Sequence, residues 1–154
     1  MSMVRLNERV PSAQRLGLYT LKAHTLRFHK ASRDGSGKCD AFHTGNPEDR
    51  VIGALFEICP NEKKVLDQAE DLGHGYHEKT VEIESASGIK LSATTYYAAI
   101  IEASLKPYSW YKNHVLIGAI ESSLPETYIQ SIRSIECIED SDKQRAAMQF
   151  AIHC

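Results

Sequence analysis

The chain predicts an α+β domain in which a small closed sheet carries flanking helices. Three features point there: at least five strand-like segments fill the first two thirds, one helix interrupts them, and the last third is helical. A length of 154 residues suits a single domain spanning 1–154, able to bury about 70% of its unfolded surface.

Taken in order, Met3, Leu6 and Val10 have helical apolar spacing, and Pro11-Ser12 closes that segment. Leu16 to Leu21 and His24 to Lys30 read as strands, the second turning Leu26 and Phe28 inward. Residues 33–38, Arg-Asp-Gly-Ser-Gly-Lys, are turn chemistry without an apolar anchor. Cys39 to His43 and Val51 to Cys59 are further strands, parted by a Gly45-Asn46-Pro47 loop. Asn61 is placed to cap the interrupting helix. A hairpin follows, Tyr76 to Glu84 and Ile89 to Ala99 around Ser87-Gly88. Pro107 suits the start of a helix reaching about Ser122, with Tyr108, Tyr111, Val115 and Ala119 on one side. Ser123 to Glu126 and Ser141 to Gln144 each have capping-box spacing for another helix.

A formal charge of −2, from 18 basic and 20 acidic residues, gives no basic stripe. Nucleic acid and anionic membrane are therefore poor partners for this surface. No apolar run approaches the roughly 20 residues of a membrane helix, and no signal-peptide pattern opens the sequence. Cys39, Cys59, Cys137 and Cys154 form no CxxC pair, and two have apolar neighbours. That usage suits reduced core thiols and a cytoplasmic location.

One carboxylate stands apart. On a helical wheel Val65, Ala69 and Leu72 form an apolar stripe, and Leu66 widens it towards Glu70. Asp67, Gln68 and Asp71 point away, and Gly73 supplies a stop. Glu70 thus stands at the edge of the buried face and at the negative end of the helix. Both placements disfavour its charge. A carboxyl of raised pKa is what a general base and acid near neutral pH requires, although a last-turn glutamate is ordinarily just solvated.

Other motifs fail on inspection. A phosphate loop ending at Gly37-Lys38 needs glycine at position 32 and Ser or Thr at position 39, where Ser32 and Cys39 stand. His74 and His77 are spaced as a ligand pair, but no third zinc ligand follows at a recognisable interval. There is no GxSxG elbow, and Cys59 has no evident partner base. Tyr108 and Tyr111 share a helical face and could hydrogen-bond a substrate, or simply anchor the helix on the sheet.

Together these segments resemble the γ-glutamylcyclotransferase family, especially its bacterial members. The matching stretches are residues 5–13, 26–30 and 34–39, then 66–70, 73–76 and 107–112, and finally Gly118-Ala119 with Leu124-Pro125. They run in family order over almost the whole chain. The resemblance implies a small mixed β-barrel with helices packed around it. It also implies a reaction in which a γ-glutamyl amide cyclises to 5-oxoproline and releases its amine, with no cofactor and no metal. Glu70 matches the catalytic glutamate, Tyr111 a substrate-contacting tyrosine and Tyr76 a pocket tyrosine.

The family opens with a strand ending in Tyr-Gly-Ser-Asn, a loop that presents backbone N–H groups to the substrate. Met1 occupies the aliphatic position that follows this loop, so Met1 is expected at the substrate, and the loop itself is not in the chain. Two readings stay open: an enzyme whose cradle lies ahead of Met1, or a non-catalytic small-molecule-binding remnant of the fold. The expected partner is a small γ-glutamyl compound, and an open sheet edge would invite a homodimer.

Overall fold

A computed structural model describes residues 2–154. The sequence places five helices and six strands among them: α1 (Met3–Asn7), β1 (Gln14–Lys22), β2 (His24–Ala31), β3 (Gly37–His43), β4 (Arg50–Glu57), α2 (Pro60–Ala69), β5 (Tyr76–Glu84), β6 (Lys90–Ala98), α3 (Ser109–Glu121), α4 (Glu126–Arg133) and α5 (Lys143–Ala151).

The α+β class and the strand positions agree with the sequence reading. The sheet does not close into one continuous ladder. Its strands form a four-stranded sheet, β4-β1-β5-β6, and a separate hairpin, β2-β3. All the paired strands are antiparallel, whereas a mixed barrel was expected. The hairpin nevertheless lies against both outer strands of the sheet, β3 beside β6 and β2 beside β4. Asp40 bridges the first of these seams. One carboxylate oxygen accepts the Ala98 N–H at 2.8 Å, and the other lies 2.7 Å from His29 Nε2.

The chain passes from sheet to hairpin at Ala23, whose φ is 59°. Its N–H donates to the Asp49 carbonyl at 2.8 Å and its carbonyl accepts from Thr44 N–H at 2.8 Å, so the surroundings hold an unfavourable left-handed residue in place. Gly37 is needed for a different reason. A Cβ there would lie 2.0 Å from the Phe28 carbonyl oxygen, where the β2-β3 register slips between Arg27 and Lys30.

The core lies between α3, α4 and strands β1, β2 and β4. Ala119, Leu124, Ile129 and Ile132 are buried together and pack on Leu18, Leu26 and Ile52. Trp110 and His114 are buried on α3 as well, so that helix is enclosed on more than its Tyr111–Ala119 side. Asp140, fully buried, accepts from Trp110 Nε1 at 2.9 Å and from two Arg145 nitrogens at 2.6 Å. This charged clasp fastens the C-terminal helix to α3.

Several helix-end assignments change. Pro60 takes the first position of α2 after an N-cap at Cys59, so Asn61 lies within the first turn and caps nothing. Ser12 instead secures this end: its Oγ accepts from Cys59 N–H at 3.0 Å, and Glu62 accepts from Ser12 N–H at 3.0 Å. Pro125 precedes α4 with no side-chain cap, because Ser123 is drawn into a left-handed turn at φ 57°. The α5 cap is Asp142 rather than Ser141, with its carboxylate accepting the Arg145 N–H at 2.9 Å.

The largest correction concerns the face of α2. Val65 and Ala69 are exposed, and Leu66, Asp67 and Glu70 turn inward instead. Asp67, expected to point away, accepts the Tyr96 hydroxyl at 2.5 Å and pairs with Lys63. Polar partners on β5 and β6 thus outcompeted the weaker apolar stripe for the contact side. Cys59 and Cys154 are exposed rather than core thiols, and all four cysteines are free. No helix among the described residues is long and apolar enough to cross a membrane.

Candidate active site

Where α1, the end of α2 and the hairpin converge, a cavity of about 510 Å³ opens under α3. That volume suits a small metabolite. Its inner end is apolar, with Leu26, Ile52, Val115 and Ile132 among the lining, and its outer end is charged. The Tyr128 hydroxyl, at the apolar end, is buried without a hydrogen-bond partner among the described residues.

Glu70 lines the charged end. It is the C-cap of α2, not a residue of its last full turn, and the left-handed turn that ends the helix is at Asp71, φ 51°, ahead of Gly73. Gly73 N–H then donates to the Tyr76 carbonyl at 2.8 Å, which fixes the tight return into β5. One helix end therefore delivers both Glu70 and Tyr76 to the cavity. Burial pushes the Glu70 carboxyl above its ordinary range, and the positive charges of Arg9, Arg5 and Lys30 moderate the rise. The Arg9 guanidinium lies 3.4 Å from Glu70 Oε1.

Tyr76 and Tyr111 meet at one peptide of β3. Tyr76 Oη donates to the Cys39 carbonyl at 2.8 Å, and Cys39 N–H donates to Tyr111 Oη at 3.1 Å. Tyr111 spends an acceptor on this bond and keeps its own proton to donate. Burial raises both phenols, so each stays protonated. It also pushes the Cys39 thiol up to about 12, which leaves no thiolate for nucleophilic work. Tyr108, expected to share the substrate face with Tyr111, diverges from it: its hydroxyl donates to the Asp34 carbonyl at 2.9 Å.

Around this centre the structure gathers residues that sequence reasoning assigned no role. Arg5 and Arg9 come from α1 and the turn after it, Lys30 from β2 and Lys38 from β3. Spacing of four puts Arg5 and Arg9 on one helical side, but an amphipathic helix carries solvated cations at that spacing just as often. The Lys38 ammonium sits 2.7 Å from Asp34 Oδ2 and 4.7 Å from the centroids of Trp110 and Tyr111. Burial alone would raise the Asp34 carboxyl, but hydrogen bonds from Lys38 and Ser36 hold it below the usual range. The loop that imitated a phosphate motif is thus closed by its own ion pair. His114 also lines the cavity, and burial drives it down to about 4. Its Nδ1 lies 2.6 Å from His153 Nε2 and its Nε2 3.0 Å from Gln149 Oε1, so α5 and the turn that follows it engage both ring nitrogens.

His74 and His77 stay outside this constellation. The His74 side chain is exposed, 3.9 Å from an Asp71 oxygen, and His77 packs on the Tyr97 ring at 5.6 Å. No group of three or more His, Cys, Asp or Glu suited to a metal occurs among the described residues. Met1, expected at the substrate, lies outside them.

Comparison with known proteins adds context to this geometry. The AIG2-like family profile matches residues 50–132. A solved structure titled γ-glutamyl cyclotransferase superposes with a TM-score of 0.87 at 22% identity, covering 97% of this chain and 92% of that one. An uncharacterised protein from Homo sapiens gives 0.82 at 23% identity, covering 96% and 92%. YkqA from Bacillus subtilis gives 0.68 at 20% identity, covering 87% of this chain and 49% of that one. These likenesses show a shared fold. No curated protein sequence matches the chain.

Proposed function

The chain belongs to the AIG2-like family, and from that premise we propose that it is a cyclotransferase of γ-glutamyl amides. The observation that carries the reading is the Glu70 carboxyl, raised by burial and facing a metabolite-sized cavity beside two protonated tyrosines. The fold shared with a γ-glutamyl cyclotransferase supports it.

In this reading Glu70 takes a proton from the α-ammonium of the γ-glutamyl group. The freed amine attacks its own γ-carbonyl carbon, forming the C–N bond of a five-membered ring. Tyr111, whose hydroxyl oxygen accepts from the Cys39 N–H, turns its own proton to the oxygen that becomes negative as the carbonyl turns tetrahedral. Collapse breaks the original amide C–N bond. Glu70 returns its proton to the departing nitrogen. It then takes the second proton from the ring nitrogen, made acidic by the attack, and passes it to the released amine, giving 5-oxoproline and the amine as its ammonium. One carboxyl of raised pKa serves these transfers, a contribution of roughly 10²–10⁴ in rate. Because nucleophile and electrophile share one molecule, the cavity chiefly has to hold a ring-closing conformer.

The test is 5-oxoproline release from a γ-glutamyl dipeptide, measured by chromatography for the wild type and Glu70→Gln. Release by the wild type that Glu70→Gln nearly abolishes supports the reading. Thermal stabilisation by the dipeptide with no release would favour a non-catalytic binding module instead.

A further inference from the structure

Lys38 lines the cavity, yet its ammonium is committed inside the protein. It donates to Asp34 Oδ2 and to Ser36 Oγ, each at 2.7 Å. The loop is built to hold it there. Ser36 is fully buried, and its N–H and Oγ donate to Asp34 Oδ1 at 3.0 and 2.8 Å. Gly35 supplies the left-handed turn at φ 81°, and Gly37 N–H ties the loop to the Lys106 carbonyl at 2.9 Å. The other side of the ammonium meets three aromatic rings. The centroids of Trp110 and Tyr111 lie 4.7 Å from it and that of Tyr108 5.6 Å. Trp110 gives its N–H to Asp140 and Tyr108 its O–H to Asp34, so of the three only Tyr111 keeps a donor for the cavity. A cation against an aromatic face draws electron density from the ring and favours negative charge on a phenol oxygen.

We propose that Lys38 is a positioning residue for Tyr111: clamped by Asp34 and Ser36, its charge fixes the ring and strengthens the hydrogen bond that the Tyr111 O–H gives to the developing oxyanion. The proposal rests on the cyclotransferase reading for that oxyanion. Burial alone makes the phenol a poorer acid and so a weaker donor, and a fixed cation at its ring offsets this. The Lys38 side chain keeps only 14% of its surface exposed, so solvent does little to screen the effect. Lys38 acts through the ring and makes no bond to the reacting atoms. Its contribution grows as the carbonyl oxygen gains charge, which places it in the transition state and not in substrate binding.

The test compares Lys38→Met, which keeps an unbranched stem and removes the charge, with Lys38→Arg, which keeps the charge. Combining Lys38→Met with Asp34→Asn leaves no unanswered carboxylate in the loop and guards against misfolding. In 5-oxoproline release from a γ-glutamyl dipeptide, loss of the charge should lower kcat on the order of 5- to 30-fold with KM within about twofold. Lys38→Arg should keep most of the rate. In a Tyr111→Phe background the same loss should cost less than about twofold, because the hydroxyl it acts through is gone. Equal losses in the two backgrounds would overturn the proposal. A second measurement needs no turnover: a difluorinated tyrosine at position 111, more acidic than tyrosine, is titrated by its phenolate absorbance. Arg5, Cys39 and Tyr76 also face this phenol, and the variants leave them unchanged. Removing the Lys38 charge should raise the ionisation by roughly one pH unit. An ionisation that stays in place would overturn the proposal whatever the turnover. Absence of 5-oxoproline from the wild type would sink the cyclotransferase reading, and the hold of Lys38 on Tyr111 would then stand or fall by the titration alone.

Discussion

Replacing Arg9 by Gln should move the acidic limb of the pH–rate profile, and the structure sets the direction and scale. Arg9 and Glu70 approach to 3.4 Å, where unit charges attract by about 1 kcal/mol in bulk water and about 5 kcal/mol at an effective permittivity near 20. Their side chains keep 30% and 16% of their surface exposed, which places the pair between those limits. With solvent screening, about 1.5–3 kcal/mol is a reasonable share. At about 1.4 kcal/mol per tenfold change in proton affinity, that corresponds to roughly one to two pH units. The sign follows from the roles. Arg9 favours the carboxylate, so its loss makes Glu70 hold its proton more tightly. Glu70 must be deprotonated to act as base, so the limb of kcat/KM on the acid side moves to higher pH. The assay is initial-rate 5-oxoproline release across pH for both proteins. Stability carries the same signature. Because the folded Glu70 holds its proton more tightly than the unfolded chain does, its contribution is fully present below the unfolded pKa. That contribution is lost as pH rises through the folded value. An acidic limb that stays in place, or moves to lower pH, would refute this reasoning.

Three further substitutions test the frame that holds the site. Gly37→Ala drives a methyl against the Phe28 carbonyl and should cost about 3 kcal/mol or more, read as a lower denaturation midpoint. Ala23→Gly relieves a left-handed alanine and, after the added freedom of the unfolded chain, should stabilise by about 0.5–1 kcal/mol. Tyr111→Phe leaves the Cys39 N–H without its acceptor, so about 1–3 kcal/mol of stability should go together with much of the activity. A variant as stable as the wild type in the first or third case would contradict the contact described.

The strands and the hairpin at Ser87-Gly88 were legible because alternation and turn residues act over a few neighbours. The place of Glu70 at a buried edge was legible as well, although for a partly wrong reason. A wheel drawn through Val65, Ala69 and Leu72 could not reveal that Tyr96 and Glu78 on β6 and β5 would draw Lys63 and Asp67 inward. Glu70 kept its place at the buried edge because it is adjacent to either face. The helix caps were misplaced where a competing local geometry was available, as with Asp142 beside Ser141. The cations were invisible for another reason. Arg5, Arg9 and Lys30 are ordinary surface residues in one dimension, and only the convergence of α1, β2 and the end of α2 gives them a common target. Tyr108 and Tyr111 looked equivalent on one helix, yet the loop at Asp34 claims the first and the β3 peptide the second.

The most direct test of the central claim is 5-oxoproline release from a γ-glutamyl dipeptide by the wild type and by Glu70→Gln, with both shown to be folded. The account predicts release by the wild type and a loss on the order of 10²–10⁴ in the variant. Release by Glu70→Gln at the wild-type rate, or none from the wild type, would contradict it.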